Sequence, residues 1–217
     1  MKGLLASGFT AIGTGTGTMV ALHAEAGLDP MHTVISEYAF QAAGWLLPLS
    51  LTLFAAGAAL IAEALRRSGA DRWVVALLAV WGASMFLVGA FPTDAPGLPL
   101  SFSGAVHRYA AFVAFLVMPL AGLLLARARI RYAGWVRVLS MVALGALVMV
   151  VIPYAVRMFG IPLENEDFPA GLIQRTVVIT ELGVLALAKP VDAGAARPPL
   201  DGPGPGVIAP PFGRGRA

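Results

Sequence analysis

Residues 138–156 read VLSMVALGALVMVVIPYAV, nineteen positions without one charged side chain. A run of that length crosses the ~30 Å hydrocarbon core of a bilayer as an α-helix rising ~1.5 Å per residue. The apolar residues are continuous rather than alternating, which excludes the strands of a transmembrane barrel. Four similar runs flank it, at 41–62, 73–91, 105–126 and 170–188. Their interior Pro48, Pro119, Gly57, Gly89, Gly122 and Gly145 fit membrane helices, where small residues let backbones approach closely.

The first segment, Gly3 to Leu22, is less apolar because it carries Gly13-Thr14-Gly15-Thr16-Gly17-Thr18. Two readings compete. Lys2 ahead of an apolar core and Ala24-Glu25-Ala26 behind it resemble a cleavable signal peptide. The interruption falls where a signal core is strongest, however, and Gly and Thr are ordinary at a helix interface, so a retained sixth helix is preferred. The Gly-Thr repeat mimics a phosphate loop but lacks the closing Lys-Ser/Thr and a preceding strand. The expected fold is therefore an all-α polytopic bundle of six spans over 1–188. The Pro/Gly-rich remainder, 189–217, is expected to be a disordered cytoplasmic tail.

Composition agrees. The 217 residues are 58% hydrophobic and 12% charged, with a mean hydropathy of +0.80, too little charge to cover a soluble surface. The net charge of +3 does not point to nucleic acid, because the basic residues lie in short clusters between apolar runs. With six spans, all but Arg108, Arg157 and Arg175 of the 15 Lys and Arg fall on one side. That side is cytoplasmic by the positive-inside rule and holds both termini, in a plasma-membrane protein whose partners are membrane lipids. With no cysteine, disulfides, thiolate metal sites and cysteine nucleophiles are excluded. No cofactor motif is present, and no protein partner is indicated.

Polar residues gather at the outward helix ends. His32-Thr33-Val34-Ile35-Ser36-Glu37-Tyr38 precedes the second helix, and Phe91-Pro92-Thr93-Asp94 follows the third. Ser103-Gly104-Ala105-Val106-His107-Arg108 opens the fourth, and Gly171-Leu172-Ile173-Gln174-Arg175 the sixth. The ISEY, FPTD and SGxxHR elements resemble the bacterial and archaeal membrane family known as domain of unknown function 998, over about residues 1–188. More distantly, the Ile-Ser-acid element and the histidine opening the fourth helix resemble the DRAM and Frag membrane family. The resemblance implies a bundle of about six spans and no particular activity.

Ser103 and His107, four apart, share one helix face. Arg108 and Arg175 begin inside apolar runs, where a guanidinium needs a carboxylate, water or the interface. Glu37, then Asp94, are the expected partners, which would make the cluster an ion-pair clasp. The same residues support a ligand-binding reading, with Arg108, Arg175, Gln174, His32 and Ser103 around an anionic lipid head group. They also support a catalytic one, with His107 oriented by Asp94 or Glu37 and Ser36 or Ser103 as nucleophile, in an enzyme acting on lipid at the outer leaflet. His32, His107 and Asp94 have metal-ligand chemistry but no diagnostic spacing, so no metal is assigned. Glu181 lies about 10 residues, roughly 15 Å, into the sixth helix. Its functional reading is a small proton-coupled transporter. Its bland reading is a protonated side chain bonded to a neighbouring helix, with the Thr/Gly face of the first as the expected partner.

Overall fold

The computed structural model describes residues 1–128, 130–160 and 168–188, the side chains of 157 and 158 aside. Its elements are α1 Lys2–Ala26, a 3-10 helix Ile35–Phe40, α2 Leu46–Arg67, α3 Arg72–Ala90, α4 Phe102–Leu125, α5 Ala133–Met158 and α6 Ala170–Leu187. Among the described residues the fold is thus all-helical. Five helices, α2 through α6, are long and apolar enough to cross a membrane; α1 is long enough, at 25 residues, but less apolar. The expected tail and the acidic stretch Glu164–Asp167 lie outside the described residues.

The apolar run expected to begin at 41 becomes α-helical only at Leu46. The chain before it turns tightly, through backbone bonds from Gln41 to Tyr38, Gly44 to Gln41 and Leu47 to Gly44. This gives the outer end a short roof instead of one more turn of α2. Capping sets the other starts. Asp71 accepts from the Trp73 N–H at 2.8 Å to open α3, and Ser101 from the Gly104 N–H at 3.0 Å to open α4.

Consecutive helices pack on one another, and α6 also meets α4. α1 packs on α2 and touches the 3-10 helix. Small residues bring α1 and α2 together: a methyl group at Gly8 or Gly57 would run into Ile61 or Ile12 and the facing backbone. The Gly-Thr repeat sits in the middle of α1, so it is no phosphate loop. Gly15 lies under the Phe54 ring and its carbonyl accepts from Ser50 Oγ at 2.7 Å, while Thr16 and Thr18 donate to their own helix at 2.9 Å. The half of the bundle away from the 3-10 helix is closed by Ile61, Leu65, Val74, Leu78, Met118 and Leu185, each no more than 2% exposed.

Candidate functional site

The end of the bundle that carries the 3-10 helix, expected from the sequence to face outward, is built from two sets of bonds. The first joins α3 to α4. Ser103 Oγ donates to the Pro92 carbonyl at 2.8 Å, and Asp94 accepts the Ser101 N–H at 3.0 Å. Hydrogen bonds from Ser101, and then the nearby positive charge of Arg108, hold the Asp94 carboxyl below the usual carboxylate range. Gly104 is buried directly against that carboxylate, where a side chain would collide with it. His107, four residues after Ser103, points Nδ1 at the carbonyls of Val88 at 3.0 Å and Phe91 at 2.9 Å. A carbonyl only accepts, so Nδ1 carries the proton and Nε2 is left as an acceptor.

The second set ties the roof to α6. Gln174 Oε1 accepts the Ile35 N–H at 2.6 Å, and the Leu172 N–H donates to the Met31 carbonyl at 3.0 Å. Arg175 donates to the Thr33 carbonyl at 2.8 Å and to the Tyr38 hydroxyl at 2.9 Å, and its guanidinium lies 5.3 Å from the centre of the Tyr38 ring. Tyr38, 1% exposed, is in turn stacked on His23 of α1 with centroids 4.4 Å apart.

These contacts correct the expected pairing. Among the described residues neither Arg108 nor Arg175 forms an ion pair with Glu37 or Asp94. Arg175 is satisfied by a backbone carbonyl and a phenol, partners that a search for carboxylates passes over. Arg108 is exposed and lies over the Tyr154 ring of α5 at 5.6 Å. Glu37 stands on the 3-10 helix, its side chain without a hydrogen bond among the described residues, and burial pushes its carboxyl above the usual range. The expected carboxylate behind His107 is likewise replaced by two backbone carbonyls. His32 pairs with Asp29 at 2.6 Å in the exposed loop after α1. Among the described residues no three His, Asp or Glu side chains gather as a metal site requires.

Below the roof lies a cavity of about 40 Å³, room for a few waters. Ser36, His107, Gln174 and Glu181 line it, among Met19, Leu51, Phe54, Trp81, Met85 and Phe115. It draws on every helix but α5. Glu181, 1% exposed, forms the floor: Oε2 accepts from the Trp81 indole N–H at 2.9 Å, and Oε1 has no partner. The neighbour bonded to Glu181 is therefore α3, not α1. Sequence reasoning passed over Trp81, although a signal was present. Tryptophan favours the membrane interfaces, and one at mid-span needs a partner for its N–H. A second pocket, of about 260 Å³, opens beside Trp45, Pro48, Gly89 and Thr93, and His107 lines both.

No curated protein and no solved structure matches the chain. One family model matches residues 5–189, nearly the whole described region, and its description is Protein of unknown function (DUF998). With the FPTD and SGxxHR elements forming one bonded unit and ISEY forming the roof, the chain belongs to the DUF998 family.

Proposed function

We propose that this protein spans the plasma membrane six times, with both ends in the cytoplasm, and binds a small ligand drawn from the outer side into the central cavity. The observation that carries the reading is the cavity itself: four polar side chains from three separate elements converge on a space inside an otherwise apolar bundle. In this reading the outer bonds are a clasp that roofs the site, and residues 1–188 act as one domain with the tail outside it. The sixth span is supported by the fit of α1 to α2 and by the basic asymmetry, which needs an even number of crossings. Anionic lipid head groups fall to Arg108, the exposed arginine beside Tyr154, because Arg175 is committed to the roof.

A membrane-embedded hydrolase is the second reading, favoured by Ser36 and the free Nε2 of His107 lining the same cavity. Labelling of Ser36 by a fluorophosphonate, lost in His107→Gln, distinguishes it from simple binding. A transporter driven through Glu181 is less well supported, since the cavity floor rests on closed apolar packing.

The chain's lack of cysteine makes the test direct. A Ser36→Cys variant, at the partly exposed rim of the cavity, should react with a membrane-impermeant maleimide added to intact cells. A Ser68→Cys variant, in the exposed turn after α2, should react only after permeabilisation. Outside labelling at Ser68→Cys overturns the topology, and an unreactive Ser36→Cys variant overturns the outward-reached cavity.

A further inference from the structure

The floor of the cavity is chemically incomplete. Glu181 has one oxygen on the Trp81 indole and the other buried without a donor. Among the described residues no Lys or Arg lines the cavity. Arg108 and Arg175, on the helices that supply His107 and Glu181, are held against Tyr154 and against Thr33 and Tyr38. An isolated carboxylate at this depth is strongly disfavoured, and among the described residues no cation offsets it. The walls are aromatic and thioether: Phe54, Trp81, Phe115, Met19 and Met85. Ring faces of this kind attract a desolvated cation, and the space is too small for a branched head group.

We propose that the cavity binds a primary ammonium on an alkyl chain, the ammonium donating to Glu181 Oε1 and resting against the aromatic walls. This rests on the reading that the cavity takes a ligand, yet fails separately from it: cysteine labelling reports access, whereas the experiment below reports what the floor recognises. The chain leaves past Val178 and Ala111, the apolar pair on α6 and α4 among the partly exposed residues of the lining. An ammonium source is open to two origins, a free hydrophobic amine or the head of an aminophospholipid.

Of the four tryptophans, Trp45, Trp73 and Trp135 are 60–66% exposed, so replacing all three with Phe leaves Trp81 as the sole reporter, bonded to the floor. The full chain is placed in phosphatidylglycerol nanodiscs, which carry no amine, and titrated with hexylammonium chloride. The expected result is a saturable change in Trp81 emission, with the midpoint raised at least ~10-fold by Glu181→Gln, the loss of about 1.4 kcal/mol of binding, and no saturation with hexanol. Val178→Phe, which keeps Glu181 and fills the cavity, should abolish saturation too, and it decides the matter if Glu181→Gln does not fold. In phosphatidylethanolamine nanodiscs a response already saturated assigns the ammonium to lipid, and an unchanged titration assigns it to a free amine. No saturation with hexylammonium, an equal response to hexanol, or a midpoint unmoved by both substitutions overturns the proposal. The first two are the results expected of a neutral Glu181 that holds only water.

Discussion

Replacing Arg175 with Met keeps an unbranched apolar stem and removes every donor. Two hydrogen bonds from a charged group, at 2.8 and 2.9 Å, are lost, each worth roughly 1.5–3 kcal/mol. The guanidinium–ring contact with Tyr38 adds about 0.5–2 kcal/mol. Water restores part of this at the partly exposed Thr33, but not at Tyr38, which is 1% exposed. Removing the guanidinium also relieves the buried, unpartnered Nε. The net loss is about 2–4 kcal/mol, or about 5–15 °C in melting temperature for a chain of this size. Tyr38→Phe, which keeps the ring and loses one bond that water does not restore, should cost about 1.5–3 kcal/mol. Glu37→Gln, at a side chain without a hydrogen bond among the described residues, should move the melting temperature by no more than a degree or two at neutral pH. Melting in detergent, followed by loss of monodisperse protein, measures all three. A Glu37→Gln loss as large as that of Arg175→Met would restore the ion-pair clasp and refute the assignment of the arginine to Thr33 and Tyr38.

Gly57→Ala should destabilise by about 1–3 kcal/mol, because its methyl group meets Ile12 and the Gly8 backbone. Gly13→Ala, facing open space on α1, should be neutral or gain up to ~1 kcal/mol in helix propensity; both are read from the same melting curves. Burial raises the carboxyl of Glu37 in the folded state. Its contribution is therefore fully present below the unfolded pKa, near the ordinary 4.5 of a glutamate, and is lost as pH rises through the higher folded one. The melting difference between wild type and Glu37→Gln should accordingly shift in favour of the Gln variant from acid to neutral pH, and a shift in the opposite sense contradicts it. Deleting the residues after Val191 should leave insertion and melting unchanged, since Pro198, Pro199, Pro203 and Pro205 break any helix there; a large fall in melting temperature would show that the tail docks on the bundle.

The five strong apolar runs were legible because lipid imposes a one-dimensional demand, an uninterrupted apolar length, that a sequence displays directly. The first segment was harder for the same reason. Averaged hydropathy penalises Gly13 to Thr18, whereas the value of Gly15 lies in its approach to Phe54 and Ser50, thirty-five or more positions away. At the outer end the residues were legible and their partners were not. Ser103 and His107 do share a face, but both reach backbone carbonyls at the end of α3. Every residue owns a carbonyl, so the sequence gives no hint of which will be used. Arg175 was matched to a carboxylate for its charge, and the fold offered it Tyr38, already quoted in ISEY but without a role. Glu181 stood out by depth alone, while its partner required knowing that the Trp81 side chain of α3 reaches α6 at the cavity.

The hydrogen bond from Trp81 to Glu181 joins residues 100 positions apart. At ~5–20 residues per second of synthesis, the indole is made roughly 5–20 s before its acceptor exists. During that interval α1 through α5 can assemble, but the cavity has no floor and stands open on the side α6 will fill. Its completion is thus a late event in the life of the nascent chain, and whatever occupies the space between α3 and α4 at that moment is either expelled or enclosed when α6 arrives.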